Sequence, residues 1–309
     1  MLLLLALLLQ EPSESPPFEA ALRPEAGIDT NLLGVDVRFP VLESLKRRSF
    51  YGGATALGRY WLSRPDPWGL TVDATETLRA FSADPDLNYS DTLVSVTGWG
   101  PTDRVLSGGA RIAFAEAITN GDGHYRTLRD ASIGSRWKPE ESWHLDVAIS
   151  VTNVDYYLDL PDPQDRDGAI YQLFIAPTFD LGEQWNISPS LTFSRSSSEG
   201  SDFDNRAVTS AMSLTAPTIA GFRTSLGLST AIARYDHDNS VAGYADARRD
   251  FAWGTTLTVS RRIDTLFGWT PSISIAYSNQ SSNINSFDYD RWTISFGIGI
   301  PFIGDLFGE

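Results

Sequence analysis

The sequence predicts an all-β fold, a transmembrane antiparallel up-and-down β-barrel of about fourteen strands. Three observations predict it. Apolar residues recur with a period of two along most of the chain. The opposite face of these runs is mostly Ser, Thr, Gly and Ala rather than Lys and Glu. The connections between runs alternate between short and long.

The period is clearest in three runs. Trp143, Leu145, Val147, Ile149 and Val151 alternate with His144, Asp146, Ala148, Ser150 and Thr152. Trp185, Ile187, Pro189, Leu191 and Phe193 alternate with Asn186, Ser188, Ser190, Thr192 and Ser194. Trp292, Ile294, Phe296, Ile298, Ile300 and Phe302 alternate with Thr293, Ser295, Gly297, Gly299 and Pro301. Successive side chains on a strand point to opposite faces, so each run has one apolar and one small or polar face. Taken in order, the same pattern gives strands near 19–30, 50–62, 69–81, 88–98, 104–117, 124–137 and 142–155. It continues near 169–180, 185–197, 204–216, 220–235, 244–262, 270–279 and 288–302. The fourth is among the weakest, with Val94 and Val96 as its clearest lipid-facing pair.

A soluble sandwich would alternate in the same way. Small, hydroxylated side chains suit a crowded lumen better than open water, and several runs reach the length of tilted strands crossing a bilayer, roughly 9–11 residues plus their ends. Met1 to Leu9 is almost purely aliphatic and is followed by Gln10-Glu11-Pro12. This run is too short for a spanning helix, which needs ~20 residues, and resembles the apolar core of a secretory signal. It lacks a preceding Lys or Arg and a clean small-x-small cleavage site, as in an imperfect signal or a start codon placed too far downstream. Residues 1–17 are therefore read as a signal-like leader and 18–309 as one barrel domain. An exported protein without spanning helices crosses a membrane only by closing a sheet, because unpaired backbone groups are costly in hydrocarbon.

The connections test this count independently. The even-numbered ones are short: Ser63 to Pro67, Gly100 to Asp103, Lys138 to Glu141, Asp180 to Glu183, Pro217 to Ile219 and Asp264 to Phe267. The odd-numbered ones tend to be longer and more polar, as in Asn31 to Ser49, Tyr156 to Gly168, Ser198 to Phe203, Asp236 to Gly243 and Gln280 to Phe287. Those near Asp84 and Gly121 stay short. Short periplasmic turns and longer outer loops are the pattern of outer-membrane barrels, and an even strand count puts both chain ends in the periplasm.

Tyr60, Trp61, Trp68, Trp99, Trp137, Trp143, Trp185, Trp253 and Trp269 fall near strand ends, where interfacial girdles are expected. By parity, Asp73, Arg79, Arg111, Asp130, Arg136, His144 and Asp146 share the polar face and are the candidate lumenal charges. Glu76 falls on the apolar face near mid-strand. Either a bulge shifts the register there or the assignment of that strand fails.

Several functions are disfavoured. A net charge of −15 offers no basic stripe for nucleic acid. The chain has no cysteine, so no wrong disulfide can trap it in an oxidising periplasm. Its three histidines, His124, His144 and His237, form no metal-ligand pair. No G-x-S-x-G marks a nucleophile. Asp159, Asp162, Asp165 and Asp167 share one loop, but their spacing does not fit a calcium loop; a solvated acidic loop facing lipopolysaccharide is the simpler reading. Neither a catalytic centre nor a cofactor nor a metal is expected. The partner expected from the barrel itself is outer-membrane lipid.

The last sixty residues carry a series of landmarks. Arg248-Arg249-Asp250 opens a strand and Gly268-Trp269-Thr270-Pro271 begins the next. Ser282-Asn283-Ile284 lies in the final loop, followed by Tyr289-Asp290-Arg291 and a last strand ending at Phe302. Near the start stands Gly27-Ile28-Asp29-Thr30-Asn31. Together these resemble the C-terminal barrel of the surface lipoprotein assembly modifier family. The resemblance implies a fourteen-stranded barrel that moves lipoproteins, or a related secreted cargo, to the cell surface. It puts Arg249, Asp250, Gly268, Pro271, Ser282, Asn283, Tyr289, Arg291 and Phe302 at family-like positions. Members usually carry a periplasmic helical-repeat domain before the barrel. Only about seventeen residues precede the first strand here, so a separate periplasmic helper is the expected partner. Residues 303–309 follow Phe302, so the terminal aromatic signal is internal or is supplied by Phe307. The Ser/Thr-rich inner face supports an alternative, a passive porin or exopolysaccharide-export channel. A third reading is a binding surface protein acting through its acidic loops.

Overall fold

The computed structural model describes residues 18–31, 48–63, 68–100, 105–120, 123–157, 165–182, 185–240 and 246–303. Fourteen strands run in chain order: β1 (Phe18–Asp29), β2 (Ser49–Ser63), β3 (Gly69–Phe81), β4 (Tyr89–Gly100), β5 (Leu106–Thr119), β6 (Gly123–Glu140), β7 (Trp143–Tyr156), β8 (Gly168–Asp180), β9 (Asn186–Ser198), β10 (Asn205–Ile219), β11 (Phe222–Asp238), β12 (Ala247–Arg261), β13 (Thr270–Ser282) and β14 (Tyr289–Ile303). Each pairs antiparallel with its neighbours in sequence, and β1 pairs with β14, so the sheet is a closed barrel. Closure leaves no strand edge to satisfy, which is what hydrocarbon demands.

The barrel is apolar outside and polar inside. On β14 the outward Trp292, Ile294 and Phe296 are each nearly half exposed, while the inward Thr293 and Ser295 lie between them. Ile112 on β5, Ile133 on β6, Ile149 on β7 and Ile273 on β13 are exposed in the same way. So many outward aliphatic side chains form a surface far larger than the few hundred Å² that soluble monomers tolerate. Lipid removes the penalty of exposing it to water, roughly 25 cal/mol per Å².

Three expectations are corrected. The short connection between β10 and β11 is centred on Ala220 and Gly221, whose φ values of 53° and 82° build a tight two-residue turn, and not on Pro217 to Ile219. Pro217 and Thr218 lie inside β10, where the register slips between Ala216 and Ile219. Proline cannot donate to the ladder, so a bulge is where it fits. Trp61 and Trp99 do not join a lipid-facing girdle. Their parity is that of Thr71 and Ser95, both buried, and their rings meet edge to face at 5.7 Å inside the barrel. Trp137 and Trp143 do face outward, in an edge-to-face pair at 5.1 Å.

Glu76 resolves differently from either expectation. The β2–β3 register slips only near Trp61, and the β3–β4 register runs unbroken past Glu76 opposite Thr92. Glu76 therefore faces outward beside the exposed Leu78. It is tolerated because Ser90 Oγ and Thr92 Oγ1 both donate to its carboxylate. One strand further, Glu116 also faces outward, 2.7 Å from His124 Nδ1. Both acids sit towards the end of the barrel carrying the odd-numbered connections.

Candidate functional site: the lumenal wall

The alternation that turns apolar residues to lipid turns the strand charges inward. Asp73, Arg79, Arg111, Asp130, Arg136, His144 and Asp146 all lie on the lumenal face, where they meet partners on neighbouring strands. Arg59 and Asp73 stand directly opposite each other on β2 and β3, and Arg59 Nε donates to Asp73 Oδ1 at 2.6 Å. Thr71 Oγ1 donates to the second oxygen at 3.0 Å. Arg136 and Asp146 are likewise opposite on β6 and β7, joined by a two-pronged contact of 2.7 and 2.9 Å. That fork fits the planar guanidinium to the carboxylate. His144 Nε2 lies 3.6 Å from the same carboxylate. Arg111 is 4.0 Å from Asp130, which also accepts from Thr152 at 2.8 Å.

Arg79 reaches further. Glu25, Gly53 and Arg79 lie in one lateral row across β1, β2 and β3. The ion pair between Glu25 and Arg79 closes over the glycine, where no side chain intervenes. The Arg79 guanidinium also lies 4.7 Å from the centre of the Tyr51 ring. Tyr51 in turn covers Gly27, where an added Cβ would come within 2.6 Å of the ring.

Glu25, Arg59 and Asp91, absent from the expected lumenal set, share the same inward parity. Asp91 lies 3.6 Å from Arg126. Both signs thus line the wall from β1 to β7, whereas β9 contributes Ser188, Ser190, Thr192, Ser194 and Ser196 to the lumen. Against β4 to β8 lies a cavity of about 620 Å³ lined by Trp99, Arg111, Arg136, Asp146 and Phe174. Eight strands give an interior that side chains fill; fourteen leave room for such a space.

The family-like positions collect at the loop ends of β12 to β14 and around β1, with three exceptions at the opposite end: Gly268, Pro271 and Phe302. Arg291 pairs with Asp29, which is 1% exposed. Asn31, fully buried, donates from its backbone N to Asp29 Oδ1 at 3.0 Å and from Nδ2 to the Asp290 carbonyl at 2.9 Å. Asp250 is held by Arg248 at 2.6 Å and stands opposite Ser282, whose backbone N donates to Asp288. Asn283 Oδ1 accepts from the Arg249 backbone N at 2.6 Å, and its Nδ2 donates to the Ala247 carbonyl at 3.0 Å. The Tyr289 carbonyl accepts from Asn279. Gly268 takes a φ of 79° in the β12–β13 turn, and Pro271 opens β13, so these two sit at the far end of the barrel. Phe302 is outward and 62% exposed. Arg249 faces outward, unlike its neighbours Arg248 and Asp250.

The β13–β14 connection folds inward over the lumen. Arg248 is buried between the rings of Tyr235, at 4.7 Å, and Phe287, at 3.6 Å. Ile284 is 1% exposed. The β9–β10 and β11–β12 connections tie to each other, since Asp202 accepts from Ser240 N at 3.0 Å and from Ser240 Oγ at 2.6 Å. Of the acidic loop, Asp159 and Asp162 lie outside the described residues. Asp167 accepts from Tyr156 N at 2.6 Å and Asp165 accepts from Asp167 N at 2.9 Å, so these two carboxylates hold their own backbone. Among the described residues no group of three or more His, Asp or Glu could hold a metal ion.

Comparison with known proteins agrees with the architecture. Residues 158–300, from before β8 to within β14, match a family model described as a protein of unknown function, DUF2860. None of the curated proteins matches the chain in sequence. A solved bacterial polysaccharide outer membrane secretin aligns over 92% of this chain and 98% of its own, with 10% identity and a TM-score of 0.50. OccK9 (OpdG) of Pseudomonas aeruginosa aligns over 92% and 98% with 10% identity and a TM-score of 0.46. OccAB4 of Acinetobacter baumannii aligns over 94% and 100% with 9% identity and a TM-score of 0.49. At such identity the likeness is one of fold. The secretin shares the barrel fold, and the closed sheet with its apolar exterior makes this chain a fourteen-stranded β-barrel of the outer-membrane type.

Proposed function

We propose that the barrel is a narrow aqueous channel for small polar solutes. The observation that carries this reading is the two-signed wall around the 620 Å³ cavity, where Arg136 and Asp146 face the space from adjacent strands. Charges paired sideways are already neutralised, so a hydrated solute passes between them without stripping a lone ion from water. The hydroxyl row of β9 completes a surface suited to sugar-like solutes, including an exported polysaccharide strand. Nothing in this reading asks the wall to do covalent chemistry. Planar-bilayer recordings of the purified barrel test it. Discrete conductance steps are expected, and a barrel that stays closed at all voltages would refute a passive channel.

A second reading, translocation of surface lipoproteins or a secreted cargo, is favoured by one observation. The residues that resemble the surface lipoprotein assembly modifier family, Asp29, Asp250, Ser282, Asn283 and Arg291, meet at the loop side of the seam around β12, β13, β14 and β1. Such a barrel would work with a separate periplasmic helper. Deleting the gene and shaving cells with protease tests it: surface lipoproteins should be lost, and unchanged display counts against it.

A further inference from the structure

Four outward arginines stand side by side on consecutive strands. Arg195 on β9 is opposite Arg206 on β10, Arg206 is opposite Arg234 on β11, and Arg234 is opposite Arg249 on β12. All four are exposed. Residues directly opposite on adjacent strands have Cβ atoms roughly 5 Å apart, and like charges so placed repel. A chain with a net charge of −15 has acids to spare, yet among the described residues only Asp236 approaches the row, 3.7 Å from Arg206. Among the described residues, Arg195, Arg234 and Arg249 make no ion pair.

The row has a fixed height. Two residues further from the loops on each strand lies an equally regular apolar row, with Phe193 opposite Val208, Val208 opposite Ile232, and Ile232 opposite Phe251. These four are between 40% and 52% exposed and belong to the lipid-facing surface. The arginines therefore stand one step above hydrocarbon contact, on the side of the odd-numbered connections, which faces out of the cell if the short turns are periplasmic. Arg206, Arg234 and Arg249 line a groove of about 790 Å³ on this outer surface, floored by Val208 and Ile232.

We infer that this row is a binding site for a phosphorylated lipid headgroup of the outer leaflet. Cations set at the headgroup level, over a row that acyl chains can cover, match a ligand with phosphate above and hydrocarbon below. Guanidinium pairs hold phosphate oxygens in two-pronged contacts, and a shared anion converts the repulsion along the row into attraction. The regularity of the row, one arginine per strand in unbroken register, gives spacing for more than one phosphate on one headgroup.

Native mass spectrometry of the whole barrel in detergent, titrated with bis-phosphorylated lipid A, tests the site. The wild-type barrel should retain the lipid, and a lipid A lacking its phosphates should bind much more weakly. Arg206→Gln with Arg234→Gln should weaken binding by about tenfold or more, as expected for losing charge-assisted hydrogen bonds. Arg261→Gln, an outward arginine at the opposite end of β12 stacked on Phe222, should leave it unchanged. Heat-modifiable migration in gels shows that each variant is folded. Equal retention by the double variant, or equal binding of the dephosphorylated lipid, would overturn the proposal. So would full displacement by inorganic pyrophosphate, which would assign the row to free phosphate, or a dimeric mass in place of the lipid adduct.

Discussion

Arg291 Nε donates to Asp29 Oδ1 at 3.0 Å across the seam where the last strand meets the first, 262 residues apart in the chain. A second guanidinium nitrogen holds the other carboxylate oxygen. The pair is an ionic clasp on this closure, next to Asn31, whose Nδ2 donates to the Asp290 carbonyl, and Thr30, whose Oγ1 accepts from the Trp292 backbone N. Asp29 is buried and Arg291 is about one-third exposed, so removing the cation leaves an uncompensated buried charge.

Arg291→Gln should lower stability by about 2 kcal/mol, less than the 3–5 kcal/mol of a fully buried pair because one partner reaches solvent. Asp29→Asn should cost less than Arg291→Gln, since it leaves no buried charge behind. Urea unfolding followed by tryptophan fluorescence checks the order, and the reverse order would contradict the clasp.

Gly27 should tolerate no side chain. An added Cβ would lie 2.4 Å from the Ile294 carbonyl oxygen and 2.6 Å from the Tyr51 ring. Gly27→Ala should destabilise by roughly 1–3 kcal/mol, the range for overpacking. Adding Tyr51→Ala should recover only part of the loss, because the carbonyl contact persists. A double-mutant cycle on unfolding midpoints measures the coupling.

Glu76 should be replaceable. Glu76→Leu gives up two hydroxyl contacts but removes a carboxylate from an outward face, where acidic residues are tolerated at a cost that depends on depth. The variant should match or exceed the wild type by up to about 1 kcal/mol in lipid vesicles. A loss larger than that would make Glu76 a structural tie between β3 and β4.

The fork between Arg136 and Asp146 should set ion preference. Arg136→Gln leaves Asp146 beside the cavity without its guanidinium partner, so conductance should shift towards cations. Asp146→Asn should shift it towards anions. Opposite changes of reversal potential under a salt gradient are expected; no change in either variant would remove these residues from the conduction path.

Arg248→Ala should free the β13–β14 connection. The guanidinium lies between Tyr235 and Phe287 and bonds to Asp250, so its loss removes the contact that draws Phe287 inward. Faster protease cleavage near Asn285 and larger or noisier conductance should follow together.

The strand count was legible because barrel strands repeat a local rule. One face meets lipid and the other meets the lumen, and that alternation writes itself into every second residue of β7, β9 and β14. The inward placement of Asp73, Arg136 and Asp146 follows from the same parity. For Trp61 and Trp99 the same parity gives the inward face, whereas nearness to a strand end gives height but not face. Parity also gave Glu76 its true face while offering no reason for it, because the donors Ser90 and Thr92 come from the next strand.

The barrel, its number of strands and the side to which each residue turns can be read along the chain, since they depend on local alternation and on where the chain reverses. Which residues share a level around the wall emerges once the strands pair: Glu25 with Arg79 over Gly53, Asp29 with Arg291 at the seam, and four outward arginines in one row. Those levels depend on the register between strands. Register is fixed by backbone hydrogen bonds and by bulges such as that at Pro217, where slipping one residue would turn a whole strand inside out.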